Sequence, residues 1–174
     1  MILTRQAIVS AVGSGDIVIE PFQQERVSPN AYDWRLGEQL WMCDGELDAA
    51  VPAEFAQLTI PPEGLLLHPG RLYLGVTFER THSEKFAQMI NGDRSLGALG
   101  IWVHVSAPLG HMGHAIRWTL EIRVARPILV YPRMTFGKII FVAGFGDQAS
   151  YQQMGRKYTR TAGIDHSRLF EELN

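Results

Sequence analysis

Hydrophobic and polar residues alternate most regularly between Ile116 and Val124. Ile116, Trp118, Leu120, Ile122 and Val124 fall on one side, and Arg117, Thr119, Glu121 and Arg123 on the other. That is the period-2 signature of a strand with one buried face. It predicts a rigid element holding a carboxylate, Glu121, between two guanidiniums. The strand closes a longer stretch, Asn91 to Val124, which also holds a glycine-flanked turn, a β-branched and aromatic run, and a Pro/Gly/His loop.

Upstream, Thr4 is placed to cap a short helix in which Ala7, Ile8, Ala11 and Val12 share a face, ended by Gly13 and Gly15. Ile17 to Phe22 reads as a strand stopped by Pro21. Asn30 to Gly37 reads as another, continuing through EQLWM to a turn at Cys43 to Gly45. Glu46 to Gly64 is predicted as a loop carrying a short strand at Leu58 to Ile60. Leu65 to Arg80 divides into two strands joined through the Pro69-Gly70 turn, with Leu72, Leu74, Val76 and Phe78 alternating in the second. Ser83 is expected to cap a helix through Ile90, with Phe86, Met89 and Ile90 as its apolar face and Gly92 as its stop. Pro127 to Pro132 and Lys138 to Phe145 are further short strands. Many short strands separated by Gly/Pro turns predict a mainly β sandwich, barrel or jelly roll, in one domain spanning 1–174. From Asp147 the chain turns polar and basic. This tail, 147–174, has too little core to fold alone and is expected to dock on something.

Hydrophobic residues form 46% and charged residues 20% of the 174, the usage of a globular chain. A net charge of −2 gives no general footprint for nucleic acid or an anionic membrane, so phosphate binding has to be local. One cysteine, Cys43, excludes an intramolecular disulfide and a multi-cysteine zinc site, and points to a reducing compartment, the cytoplasm. The opening MILTRQAIVSAVGSG is too short and polar for a signal or a span, and no later run reaches bilayer length.

Read together, LTRQAIVSAVGSGDIVIEPF, NAYDWRLG, LLLHPGRLYLGVTFE, RSLGALGIWVHVSA, the Leu120-Glu121 pair and the terminal KYTRTAGIDHSR resemble the dCTP deaminases of the dUTPase-like superfamily, in one order over nearly the whole chain. The resemblance implies a distorted jelly-roll or dUTPase-like β-barrel with a few short helices. It also implies a homotrimer with sites shared between neighbours, and a pyrimidine deoxynucleoside triphosphate carrying Mg2+ on its phosphates. Deamination in that family needs no zinc: a strand glutamate, matched here by Glu121, is the general base toward a water that attacks C4 of cytosine. The sequence separately excludes the zinc route, because one cysteine cannot supply the H-x-E…P-C-x-x-C ligand set. Lys157 and Tyr158 match the tail residues that fold over the triphosphate. Arg156, Lys157 and Arg160, interleaved with Tyr158 and hydroxyls, suit phosphates and a stacked ring.

Several positions depart from the family pattern. Where the serine loop reads G-(R/K)-S-S-L-A-R-L-G, this chain has Gly92-Asp93-Arg94-Ser95-Leu96-Gly97-Ala98-Leu99-Gly100. Asp93 replaces a phosphate-binding cation and Ala98 the second arginine, and Arg94 falls where the catalytic serine belongs. A one-residue shift restores Arg94-Ser95 to the Arg-Ser pair, which makes Arg94 and Ser95 the catalytic candidates beside Glu121, with Arg94 also a candidate for the phosphates. In the next loop His111 replaces the sugar-binding aspartate and becomes a substrate-binding candidate, while Thr161 stands at the base-reading glutamine. His104, His111 and His114 have spacing that allows chelation on a turn, but without a nearby Cys or carboxylate no metal site is expected.

Ordinary roles stand beside these. Glu121 can form surface pairs with Arg117 and Arg123, and Asp33 and Arg35 can pair to fix the edge of the sheet. The expected function is a dCTP deaminase-like nucleotide hydrolase converting dCTP to dUTP, or acting on a related modified nucleotide. The alternatives are a dUTPase-type pyrophosphatase and a catalytically silent nucleotide-sensing or protein-binding trimer.

Overall fold

The computed structural model of the protein describes residues 1–146, 149–155, 157–158 and 163–173. The chain opens with α1 (Arg5–Gly13), β1 (Val18–Glu20), β2 (Val27–Ser28), β3 (Ala31–Cys43), β4 (Ala56–Thr59), β5 (Leu65–Leu67) and β6 (Leu72–His82). It continues through β7 (Phe86–Gly92), α2 (Arg94–Ala98), β8 (Ile101–Trp102), β9 (Leu109–Gly110), β10 (Ile116–Val124), β11 (Ile128–Val130), β12 (Thr135–Ala143) and α3 (Phe170–Leu173). The fold is mainly β, a curled antiparallel sheet with a few short helices, as expected.

The sheet runs β8-β10-β6-β3-β12-β7-β9, with β1 on β6, β2 and β4 on β3, and a separate β11-β5 pair. Its curl comes from β3, which changes partner along its length. Tyr32 to Arg35 pair with β12, whereas Leu36 and Leu40 to Cys43 pair with β6 across a register shift. Gly37 lies in that shift, where an added Cβ would stand 2.7 Å from the Val76 carbonyl oxygen. Only glycine lets the two backbones approach so closely. The inner face is closed by Tyr32, Trp34, Leu36, Leu40, Tyr73 and Phe136, all nearly inaccessible.

Two sets of polar groups inside this core are paired, although Trp34 Nε1 and one Arg35 guanidinium nitrogen are buried without a hydrogen-bond partner among the described residues. Glu79, fully buried, accepts from the Arg35 backbone N–H at 2.8 Å and from Arg35 Nε at 2.6 Å. The guanidinium also lies 4.6 Å over the Phe78 ring. Asp33 takes Lys138 Nζ at 2.7 Å, so both residues of the NAYDWRLG segment pair across the sheet. A second set of buried bonds fixes β10 on β6: the Trp118 backbone N–H donates to Thr77 Oγ1 at 2.9 Å, and its indole N–H to Thr81 Oγ1 at 3.0 Å. These bonds set the height and tilt of the strand that carries Glu121.

Three local expectations are corrected. Phe86–Gly92 is strand β7 and not a helix, because β12 offers a full antiparallel partner from Gly92 opposite Gly137 to Phe86 opposite Ala143. Ser83 Oγ accepts from the backbone N–H groups of Lys85 and Phe86 and closes a turn there instead of capping a helix. The one-turn helix is α2, beyond Gly92, capped by Asp93 Oδ1 on the Ser95 N–H at 2.9 Å. Thr4 occupies the N-cap of α1, but its side chain makes no capping bond. The two strands expected on either side of Pro69-Gly70 form, as β5 and β6, with β5 joining β11 and β6 joining the main sheet.

Candidate active site

The alternation read from the sequence is realised along β10. Its five apolar residues are buried, Thr119 and Glu121 are half-buried, and Arg117 and Arg123 are exposed. The polar face forms the floor of a cavity of about 990 Å³. The segment after β8, from His104 to Ala107, makes one wall, the Cys43 to Phe55 region another, and tail residues reach over the opening.

Glu121 does not pair with its flanking arginines. Its Oε2 accepts from the backbone N–H groups of Val105 at 2.8 Å and Ser106 at 3.2 Å, while the Glu121 N–H donates to the Val103 carbonyl at 3.1 Å. His104 Nδ1 stands 4.0 Å from the same oxygen, too far for a hydrogen bond, and both its ring nitrogens are buried without a hydrogen-bond partner. The His104 imidazole and the two N–H groups hold the Glu121 carboxyl below the ordinary carboxylate range, against the opposing pull of burial. Glu121 is therefore ionised at neutral pH, and its Oε1 carries no hydrogen bond from the described residues. Such a carboxylate is fixed by one oxygen and has the other available to take a proton from water.

The far end of the cavity is aromatic. The Tyr151 ring stacks on His111 at 4.9 Å and on His114 at 4.7 Å between centroids. His114 is 9% exposed, and its Nε2 lies 2.5 Å from the Tyr158 carbonyl oxygen, to which it donates. Between the two histidines, Gly113 has φ +79°, and a Cβ there would stand 2.5 Å from Ser150 Cβ. The Gly-His-Met-Gly-His turn is thus shaped to receive the tail. Further along, the Asp165 N–H donates to Thr119 Oγ1 at 3.0 Å.

Burial lowers the His114 pKa below 6.5, against the carbonyl bond, and the nearby His111 and His82 lower it further. A histidine kept neutral in the docked state favours docking above its free pKa and opposes it as pH falls through the lowered value. Cleavage of the tail by a protease active throughout the range is therefore expected to quicken from about pH 7.5 to about pH 5.5. His114→Gln removes that acceleration, and equal pH dependence in both proteins would contradict it.

The sequence-derived candidates divide. Glu121, His111 and Tyr158 share the cavity, with His104 and His114. Arg94 and Ser95 do not line it: both are exposed on α2, and Asp93 of the same turn faces Lys138 at 3.6 Å. Lys157 is also absent from the lining, because its Nζ is tied to Glu172 and to the Arg168 carbonyl at 3.3 Å. Arg156, Arg160 and Thr161 lie outside the described residues. Among the described residues no group of three or more His, Cys, Asp or Glu side chains is arranged to hold a metal ion. The backbone donors at Val105 and Ser106, the Tyr151 stack and Asp165 went unforeseen. The first has no side-chain signature, and the others depend on the path by which the tail returns.

The sequence profile described as dCTP deaminase-like, DCD, matches residues 2–144. The chain belongs to the dCTP deaminase-like family. A protein of Clostridium botulinum (strain Eklund 17B / Type B) named "dCTP deaminase, dUMP-forming" is 41% identical over 174 residues, with 99% of each chain covered. One of the same name from Cytophaga hutchinsonii is 42% identical over 174 residues, again with 99% of each covered. A "dCTP deaminase" of Rhodopirellula baltica is 40% identical, covering 99% of this chain and 86% of its own. The solved 2'-deoxycytidine 5'-triphosphate deaminase of Agrobacterium tumefaciens superposes with a TM-score of 0.66 at 21% identity. That match covers 82% of this chain and 48% of the solved one, and it shows the shared fold. In this family member, Glu121 is the cavity carboxylate on the strand expected to carry the base.

Proposed function

We propose that the protein deaminates dCTP and releases dUMP, with Glu121 as the general base. The observation that carries this reading is the geometry of Glu121, ionised, anchored through Oε2 and open at Oε1 on the floor of a nucleotide-sized cavity. Oε1 takes a proton from a water whose oxygen attacks C4 of the cytosine ring. The C4–N4 bond then breaks, the leaving nitrogen accepts a proton, and ammonia departs. A second water hydrolyses the α–β phosphoanhydride, so that dCTP and two waters become dUMP, pyrophosphate and ammonia. The dUMP product replaces the dUTP expected from sequence, since two relatives at 41% and 42% identity are named dUMP-forming. The pyrophosphatase alternative then becomes the second half of one reaction.

Mg2+ enters on the phosphates of the nucleotide. The described residues offer no cluster of carboxylates for it, and a small hard cation is commonly held largely by phosphate and water oxygens. Arg94 and Ser95, exposed on α2, reach the cavity of a neighbouring subunit in a homotrimer, where Arg94 supplies charge near the reacting ring or the phosphates. The tail closes over the ligand, bringing Tyr158 and, once released from Glu172, Lys157 to it. His111 supplies a polar contact to the sugar end. With Cys43 a free thiol, the protein suits a reducing compartment, and no helix among the described residues is long and apolar enough to cross a membrane.

The test is to incubate the purified protein and Mg2+ with each deoxynucleoside triphosphate in turn, resolving nucleotides while assaying ammonia and pyrophosphate. dUMP, ammonia and pyrophosphate in equal amounts from dCTP are expected. Failure to turn over any of them at enzyme concentrations approaching substrate would replace the reading with a silent nucleotide-binding trimer.

A further inference from the structure

The cavity must neutralise a polyphosphate, yet the cations expected to do so are engaged or absent within one chain. Asp93 stands where a cation was expected, and Lys157 is tied to Glu172. Arg71, which does line the cavity, lies 3.7 Å from Asp44. Two guanidiniums of the floor, Arg117 and Arg123, have no carboxylate oxygen of the described residues within 4.0 Å.

Arg117 differs from Arg123 in its neighbour across the sheet. It pairs directly with Arg80 on β6, whereas Arg123 stands opposite Trp102. Like charges directly opposite in an antiparallel pair repel each other. One anion is present for the two guanidiniums: Glu20 lies 3.0 Å from Arg80, leaving Arg117 uncompensated. Arg117 is exposed, shares the face of Glu121, and lies four residues from it, about 13 Å along the strand. That separation matches the reach from the reacting ring of a nucleotide to its phosphates. Arg117 also borders the half of the cavity over which the tail passes, since Asp165 is bonded at Thr119.

We propose that Arg117 binds the phosphates of the nucleotide, a role that rests on the nucleotide reading above and adds a residue to it. A guanidinium with an unanswered like-charged neighbour gains most from a multivalent anion, and it offers two parallel N–H donors to phosphate oxygens. Arg123, on the other side of Glu121, serves as the control: it carries the same charge at a similar exposure.

The experiment titrates dCTP, dCMP and deoxycytidine into the full-length protein in a Glu121→Gln background, so that binding is read without turnover. The background protein is expected to bind dCTP more tightly than dCMP. Arg117→Gln shrinks that margin by about tenfold or more while leaving deoxycytidine affinity unchanged. Arg117→Lys keeps part of the margin, and Arg123→Gln keeps most of it. An unchanged margin in Arg117→Gln, or equal loss in Arg123→Gln, overturns the assignment. If dCTP does not bind, inorganic triphosphate is titrated instead. Weakening by Arg117→Gln alone then upholds the anion site while the dCTP reading fails, and absence of triphosphate binding overturns both.

Discussion

Glu121→Gln is expected to lower dCTP turnover by about 10²- to 10⁴-fold while leaving the fold and dCTP affinity near those of the wild type. The size of the effect follows from what the substitution preserves. A glutamine amide oxygen can occupy the position of Oε2 and keep the N–H bonds from Val105 and Ser106, so the His104 to Ala107 wall stays in place. What is lost is the proton acceptor at Oε1. A further signature is the acid limb of kcat/KM. Because the folded-state pKa of Glu121 lies below 4.5, the base is deprotonated above that value and is lost only as pH falls through the lowered one. A limb in the free enzyme at or above the ordinary glutamate value would show that another group is being titrated.

Glu79→Ala is expected to destabilise the protein by about 3–5 kcal/mol, a fall in melting temperature of roughly 6 to 20 °C. Glu79 is fully inaccessible and answers both the Nε and the backbone N–H of Arg35, which is itself 9% exposed. Removing the carboxylate leaves a guanidinium buried without a counter-charge, which is far more costly than losing an exposed pair. The double replacement Arg35→Met with Glu79→Leu is expected to recover most of the loss, because it removes both charges together. Thermal unfolding of the three proteins measures this. A double variant no more stable than Glu79→Ala would show that packing of Arg35 on Phe78, and not the charge, dominates.

Much of the architecture was legible because its signals are local. The alternation along β10 reports its buried face directly, and β3 and β6 follow from runs of β-branched and aromatic residues between turns, whereas β12 runs Thr135–Ala143 and not Lys138 to Phe145. The same rule failed at Phe86–Gly92, where Phe86, Met89 and Ile90 satisfy helical spacing and the segment is too short for the two periods to separate. Its strand character comes from β12, a distant partner in sequence, as the pairing of Phe86 with Ala143 shows, and no local window contains it. Helix α2 escaped notice because five residues show no apolar period and its cap, Asp93, was read for its charge.

The site divides in the same way. Glu121 stood out as a carboxylate on a regular strand. Its actual hydrogen-bond partners, two backbone N–H groups, come with the nearby His104 imidazole from a segment whose path only the folded chain reveals. The surface pairs with Arg117 and Arg123 that stood as the ordinary alternative for Glu121 do not form. Lys157 could be aligned with a family motif, but its capture by Glu172 depends on the tail folding back on itself.

The central claim is that Glu121 directs water onto the cytosine ring of dCTP. Its most direct test is turnover of dCTP in water enriched in ¹⁸O, with the nucleotide product analysed by mass spectrometry after its base is separated from its phosphate. The wild type is expected to yield dUMP whose uracil carries one ¹⁸O, and Glu121→Gln to leave cytosine intact under the same conditions. Recovery of unmodified cytosine from the wild type, or formation of as much labelled uracil by Glu121→Gln in the same time, would contradict it.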